Sequence, residues 1–245
     1  MPLKLYPAVP ADAGRISEIH MAAFASNAML LAQFQTPEVR EGLRESIRLK
    51  ALADIEDPKI SVLVVWDIPQ NFDTSAMRGV GDDSYYPSEM SKISDACNSE
   101  ENQMGKVIAF AKWSHPVGKD ENYEEAPWIW PPGTNMNILE GWGRAAEEVQ
   151  EQLMGDQPCY RLTFMGTDPL HEKRGAASTM VRWGLEQCRK DNVPGYLEST
   201  LNAAPFYHKM GFSRSRQISM RYRLEDPDRH EVYEELAFVY YPNSI

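Results

Sequence analysis

The sequence predicts a mixed α/β domain, and three observations carry that reading. Apolar, β-rich runs such as Ser61–Trp66 (SVLVVW), Lys106–Trp113 (KVIAFAKW) and Cys159–Thr167 (CYRLTFMGT) alternate with stretches of helical periodicity. Proline, glycine, asparagine and aspartate punctuate the junctions. The element order is β-α-α-β-β-β-α-β-α-β-β, with no linker and no internal repeat, so residues 1–245 are expected to form one domain.

From the N-terminus, Leu3–Tyr6 alternates as a first strand should. Pro10 and Asp12 open a helix with Ile16, Ile19, Met21 and Phe24 near helical spacing. A second helix is expected over Pro37 to about Ile55, with Thr36 as N-cap and proline in the first turn. Ser61–Trp66 reads as a buried strand. Residues 68–105 are polar, acidic and poor in aliphatic periodicity, and read as an inserted loop. After the strand Lys106–Trp113 comes a second insertion, 114–158, holding WIWPP and a helical segment from about Asn137 to Leu153.

The strand Cys159–Thr167 ends at Asp168-Pro169, and a helix is expected from Gly175 to about Lys190. Ala177, Val181, Gly184, Leu185 and Cys188 share one face of it. Gly195–Leu201 is a short strand, and Asn202 is expected to cap a helix running to about Met210. Gly211 stops that helix, and Phe212–Leu224 and Glu235–Tyr241 supply the last strands.

Composition narrows the function. The chain carries 36 acidic and 25 basic side chains, a formal charge of −11, which argues against nucleic acid as a partner. An acidic cleft would steer a cationic small substrate inward; the alternative is that the charge serves solubility. No apolar run approaches the ~18–20 residues of a membrane span, and the N-terminal stretch has no continuous apolar signal region. Three scattered cysteines, Cys97, Cys159 and Cys188, suit neither a disulfide framework nor a metal site, so a cytoplasmic protein without metal is expected.

The stretch TDPLHEKRGAAS (167–178) puts a basic, small-residue turn at the mouth of a helix in an acidic chain. A first helical turn leaves about four N–H groups unpartnered, with the positive end of the helix dipole beside them. Gly175, Ala176, Ala177 and Ser178 put no bulky side chain in front of those donors, and Lys173 and Arg174 add charge at the rim. The turn suits a pyrophosphate. It is neither a Walker A loop nor a GxGxxG turn. The alternative is a plain strand–loop–helix connection whose basic residues are solvated.

In its wider setting, residues 160–212, the chain resembles the GCN5-related N-acetyltransferases (GNAT). That family's motif is a strand, a loop reading [QR]xxGx[GA] and a helix; Glu172, Gly175 and Ala177 stand at the matching positions. NAAPFYHKMGF (202–212) resembles the family's closing signature, and LKLYPAVPADAGRISEIHMAAF its first strand and helix. The resemblance implies a mixed sheet with splayed central strands flanked by helices, two insertions, and a cofactor-binding core over about 159–212. It implies acetyl-CoA as donor and direct attack by an amine, a small molecule being the first expectation. Monomer and homodimer both remain open. Glu172 replaces the usual Gln or Arg, and a carboxylate facing a pyrophosphate would oppose it, so Glu172 is expected to face solvent.

The resemblance also assigns roles. Backbone groups of Met165 and Thr167 would pair with the pantetheine arm, and loop residues Glu172 to Ser178 would hold the pyrophosphate. Tyr207 would be the general acid that protonates the departing thiolate, a phenol being protonated at neutral pH; the alternative is a packing tyrosine whose hydroxyl touches water. Asn202 would bond the pantetheine arm as well as cap its helix, or cap it alone. Glu198, a carboxylate within the strand YLEST, is the candidate general base, because an unpaired carboxylate there would be costly to bury; the alternative is a carboxylate simply hydrogen-bonded at the strand end. Asp168 and His171 also lie near the expected cofactor, but Asp168-Pro169 reads as turn chemistry. Cys188 falls on an apolar helix face and reads as core. The histidines have no metal-ligand spacing. Trp128, Trp130 and Trp142 either anchor the second insertion or wall a substrate pocket, and anchoring is the expectation. Two other readings compete: an acyl-CoA-binding module without catalysis, and an interaction protein whose acidic 68–105 segment docks a basic partner.

Overall fold

Seven strands form one mixed sheet in the computed structural model, which describes residues 2–68, 105–223 and 230–242. They are β1 (Leu3–Pro7), β2 (Ile60–Asp67), β3 (Lys106–Ser114), β4 (Tyr160–Thr167), β5 (Gly195–Thr200), β6 (Ser213–Arg223) and β7 (His230–Tyr240). Their spatial order is β1-β2-β3-β4-β5-β7-β6, and only β4 with β5 is parallel. The helices are α1 (Ala13–Ala23), α2 (Ala28–Gln33), α3 (Pro37–Glu56), α4 (Met136–Met154), α5 (Ala176–Asp191) and α6 (Ala204–Lys209).

The parallel pair is short. Tyr160 pairs with Gly195, Arg161 with Tyr196 and Leu162 with Leu197, and then the strands part. A local feature accompanies the parting. On β3, Lys112 pairs with Phe164 and Trp113 with Leu162, which leaves Thr163 without an opposite residue. A bulge of this kind bends its strand, and it falls where β4 leaves β5. Beyond it β4 follows β3 as far as Thr167, while β5 follows β7 as far as Thr200. The expected splay is therefore present in the middle of the sheet.

Both faces of the sheet are covered, because alternate residues of its inner strands are apolar on each side. On one face, α5 and α6 pack Met180, Val181, Leu185 and Tyr207 against Val65, Trp113, Leu162 and Leu197. On the other, α1 and α3 set Ile16, Ile19 and Ala51 on Val62, Val64 and Phe110. There α4 sets Val149 and Met154 on Ile218, Ala237 and Val239. The second insertion is thus partly structural, since its helix closes the sheet over β6 and β7. It is tied to the core by a buried ion cluster: Lys112 lies 2.8 Å from Asp54 and 2.5 Å from Glu125, and Lys50 bonds Asp54 and lies 2.7 Å from Glu125. Two cations face two carboxylates, so none of these charges is left uncompensated.

Two sequence expectations need correction. Asn202 does not cap the following helix: α6 starts at Ala204, Ala203 occupies the N-cap, and Asn202 is exposed. The Ala203 N–H bonds the Thr200 carbonyl at 3.1 Å, and this turn carries the helix start past Asn202. Residues 28–33 (AMLLAQ) form a helix that the sequence pattern did not predict, because six largely apolar residues have no polar face to reveal a period. Residues 69–104, the bulk of the first insertion, lie outside the described residues, and so does any docking role for them.

Gly184 of α5 faces the fully buried ring of Trp113, and a β-carbon there would overlap the indole. Gly184→Ala is expected to cost about 1–3 kcal/mol by overpacking, at roughly 2–4 °C of Tm per kcal/mol for a chain of this size. An unchanged Tm in a thermal melt would show that the two elements are not in contact at this point.

Candidate active site

The turn between β4 and α5 is held from below by its arginine. Both Arg174 nitrogens reach the Asp67 carboxylate at the end of β2, at 2.6 and 2.8 Å. That bidentate bond, with the guanidinium charge beside it, holds the Asp67 carboxyl below its ordinary range. Arg174 therefore anchors the turn to the sheet instead of standing free at the rim. Asp168 does the turn chemistry expected of it, accepting the Leu170 N–H at 3.0 Å and pairing with Arg15 of α1.

Lys173 (φ 60°) and Gly175 (φ 97°) take left-handed backbone conformations. The N–H groups from Glu172 through Ser178 have no acceptor among the described residues. These amides precede or open a helix of 16 residues, where the dipole favours an anion. Glu172, Lys173 and Gly175 are exposed, Ala176 is buried in the core, and Ala177 and Ser178 are half-buried. Glu172 faces solvent, as expected.

The edge of β4 leads from this turn to the opening. Asp168 donates its N–H to Ile108 of β3, so in an antiparallel ladder Gly166 and Phe164 also turn their backbone groups toward β3. Met165 and Thr167 consequently turn theirs away from β3, into the gap that β5 has vacated. Tyr207 of α6 is buried on the same side, its ring against Phe206, Phe212 and Phe238. Burial first, and the charge of Glu235 second, hold its phenol above the ordinary range, so it stays protonated.

On the opposite face the opening meets a cavity of about 660 Å³. Phe164 of β4 and Glu235 of β7 lie in its wall together with residues of α1, α2, α3, α4 and the 128–130 segment. Trp128 and Trp130 stack in parallel with ring centroids 4.7 Å apart, and Trp128 meets Phe164 edge-on at 5.9 Å. The tryptophans therefore both anchor the insertion and wall a pocket.

Glu235 is the carboxylate this arrangement singles out. Tyr233 donates its hydroxyl to Glu235 at 2.6 Å and accepts the Asn27 amide at 2.8 Å. Asn27 is in turn fixed because its side-chain oxygen caps α2 through the Leu30 N–H. Burial raises the Glu235 carboxyl to about 7; the Tyr233 bond opposes this and the nearby Glu198 charge adds to it. His20, in the same wall and ringed by Phe24, Phe110 and Phe164, is lowered to about 4 by burial and is uncharged at neutral pH.

Glu198 stands differently. Arg161 binds both its oxygens, at 2.9 and 3.1 Å, so the carboxylate is already matched to a guanidinium. The sequence reasoning passed over Glu235, though a signal was present. In β7, Tyr233, Glu235, Ala237 and Val239 share one face by alternation, and an acid interrupts an otherwise apolar stripe. Cys188 is core, its thiol pushed up to about 12 by burial. Met165 packs against the core cluster that contains Tyr207, and the 172–178 turn follows β4 closely in the chain, whereas the exposed Asn202 side chain makes no bond to these residues among the described ones.

Comparison with known proteins places this geometry. Residues 88–212 match the Acetyltransferase (GNAT) family. A probable acyltransferase, SID5 of Ajellomyces capsulatus, is 44% identical over 104 residues, which cover 42% of this chain and 71% of that protein. A histone acetyltransferase HPA2 and related acetyltransferase from Corynebacterium glutamicum aligns over 100% of this chain and 99% of its own, with TM-score 0.51 and 18% identity. The C-terminal condensation domain of Ebony, in complex with β-alanyl-dopamine, aligns over 98% of this chain and 99% of its own, with TM-score 0.58 and 10% identity. At these identities the two structures establish the shared fold.

The Glu235 proton links the site to stability. Its folded value of about 7 lies above the ordinary 4.5, so between those values the native state holds a proton that the unfolded chain has released. The stability this group contributes is complete below the unfolded value and falls as pH rises through about 7. Glu235→Gln removes the dependence. In urea titrations the variant is expected to gain stability relative to the wild type on going from pH 5 to pH 8; a difference that does not change with pH would contradict the raised value.

Proposed function

The chain belongs to the GNAT acetyltransferase family, and from that premise we propose that it moves an acetyl group from acetyl-CoA to an amine on a small molecule, by direct attack while both substrates are bound. The observation that carries the proposal is the parting of β4 and β5, with unpartnered backbone donors on one side and a cavity holding a carboxylate on the other.

In this reading the amides of Glu172 to Ser178 hold the pyrophosphate, with the exposed Lys173 beside them and Arg174 securing the turn through Asp67. The free backbone groups of Met165 and Thr167 bond the pantetheine arm and keep the thioester in register. A backbone N–H aimed at the thioester carbonyl also stabilises the negative charge that develops on its oxygen. Glu235 takes the proton from the amine, directly or through one water, because a carboxyl near 7 is well matched to that task at neutral pH. It replaces Glu198 in the role, since Arg161 occupies the Glu198 oxygens. Tyr207, kept protonated by burial, gives its proton to the departing thiolate.

Calorimetric titration with acetyl-CoA tests the donor half of the proposal. The wild type is expected to bind in the micromolar range. Gly175→Glu puts a carboxylate at the pyrophosphate position and a side chain at φ 97°, and is expected to lose binding. A folded wild type that does not bind acetyl-CoA would overturn the proposal. Glu235→Gln tests the other half: acetyl-CoA affinity is expected to stay within a few-fold while kcat/KM for acetyl transfer falls by about 10²–10⁴. Retained kcat/KM would remove Glu235 from the mechanism.

A further inference from the structure

The cavity beyond the opening carries information about the acceptor that the donor track does not. Its walls are aromatic and aliphatic over most of their area, with Phe24, Phe34, Trp128, Trp130, Trp142 and Phe164 as the largest contributors. At about 660 Å³ it falls within the range of sites that enclose a drug-sized molecule.

Charge is distributed unevenly in it. Glu235 is the carboxylate at the inner wall, on β7 opposite Thr200 at the end of β5, and it shares that wall with Phe164 of β4. Glu140, Arg144 and Glu147 lie on exposed positions of successive turns of α4 and mark the mouth. Inside that mouth no Lys or Arg lines the cavity among the described residues, and His20 is held neutral by its burial. Between Glu235 and that mouth, a carboxylate on the acceptor would therefore lose water with no cation to pair it, and a second ammonium group that falls short of Glu140 and Glu147 would meet mostly hydrocarbon and ring faces without a counter-charge. Neither a free amino acid nor a short diamine, whose second charge stays inside the mouth, suits such a cavity. A peptide fits poorly as well, because α1, α2, α3 and α4 rather than a free strand edge form the walls.

Resting on the acetyl-transfer reading above, we propose that the acceptor is a monoamine with a single aromatic or compact apolar body, carrying neither a carboxylate nor a second amine. The body lies among Trp128, Trp130, Trp142 and Phe24, and its one nitrogen reaches Glu235 at the opening. The nitrogen enters as an ammonium drawn by the acidic surface, passes a proton to Glu235, and attacks the acetyl carbonyl carbon as a neutral amine. A new C–N bond forms, the C–S bond breaks, and the leaving sulfur takes a proton from Tyr207, which recovers one from solvent. The remaining nitrogen proton passes to solvent water, leaving a neutral amide, and Glu235 releases the proton it took to solvent before the next turnover.

The test compares phenethylamine with phenylalanine, which adds only a carboxylate, and with putrescine, which replaces the ring with a second amine. With acetyl-CoA saturating, kcat/KM for phenethylamine is expected to exceed each of the others by at least about 100-fold, since a site that leaves a charge unpaired discriminates on that scale. Comparable use of phenylalanine or putrescine would overturn the substrate class while leaving acetyl transfer intact. A second measurement is independent of turnover. Three of the chain's six tryptophans line the cavity, so phenethylamine is expected to quench intrinsic fluorescence saturably, and by less in Trp128→Phe, whereas putrescine does not. Quenching without acetyl-CoA binding would defeat the acetyl-transfer reading and keep the cavity's preference. Acetyl-CoA binding with neither quenching nor acetylation of phenethylamine would defeat the preference alone.

Discussion

The rest of the structure depends on the separation of two adjacent strands inside a sheet. A strand that lacks a neighbour presents unpaired N–H and C=O groups, and in a protein interior such groups are nearly always satisfied. Here β4 and β5 share three parallel pairs and then diverge, each retained by its other neighbour. The unpaired Thr163 on β4 marks the bend. The backbone of Met165 and Thr167 is left facing a gap, and a ligand that runs along β4 as a strand would is the natural way to complete it. The turn before α5 continues the same logic, because it ends the strand in a row of amides with no acceptor among the described residues.

An opening of this kind weakens a sheet, and other parts of the fold compensate for it. Trp113, fully buried, fills the space between β3 and α5 where Gly184 makes room for the ring. Arg174 and Asp67 join the turn to the end of β2, and Arg15 and Asp168 join it to α1. On the other face the Lys50, Asp54, Lys112 and Glu125 cluster fixes the strand of chain that carries Trp128 and Trp130. Removing one member of such a cluster leaves a buried charge unpaired, at a cost of about 3–5 kcal/mol, whereas the intact cluster adds little net stability. Through Glu125 it ties the segment that leads to Trp128 to α3 and β3.

Local signals made the strand and turn proposed for the donor legible in the sequence. Gly175 and the two alanines mark a helix mouth that a ligand can approach, and the alternation in Cys159–Thr167 marks the strand beside it. The acceptor side was legible only in fragments. It depends on partners that the chain brings together from afar: Asn27 with Tyr233 is a bond across 206 positions, and no periodicity announces it. The short helix α2, whose cap positions that asparagine, has no polar face to betray it. Glu198 and Glu235 illustrate the limit well. Both sit within strands of apolar neighbours, and only the position of Arg161 separates a paired carboxylate from one whose proton affinity is raised by burial. Asn202 shows the reverse error, a residue with strong capping propensity that the turn from Thr200 leaves one step outside its helix.

The central claim is that the donor lies along β4 and on the turn before α5, in the gap between the parted strands. Hydrogen–deuterium exchange with and without coenzyme A addresses it residue by residue. The account predicts slowed exchange at the amides of Met165, Thr167 and Glu172 to Ser178, with little change along β6 at the far edge of the sheet. Protection confined to other segments, with these amides exchanging as fast as in the free protein, would contradict it.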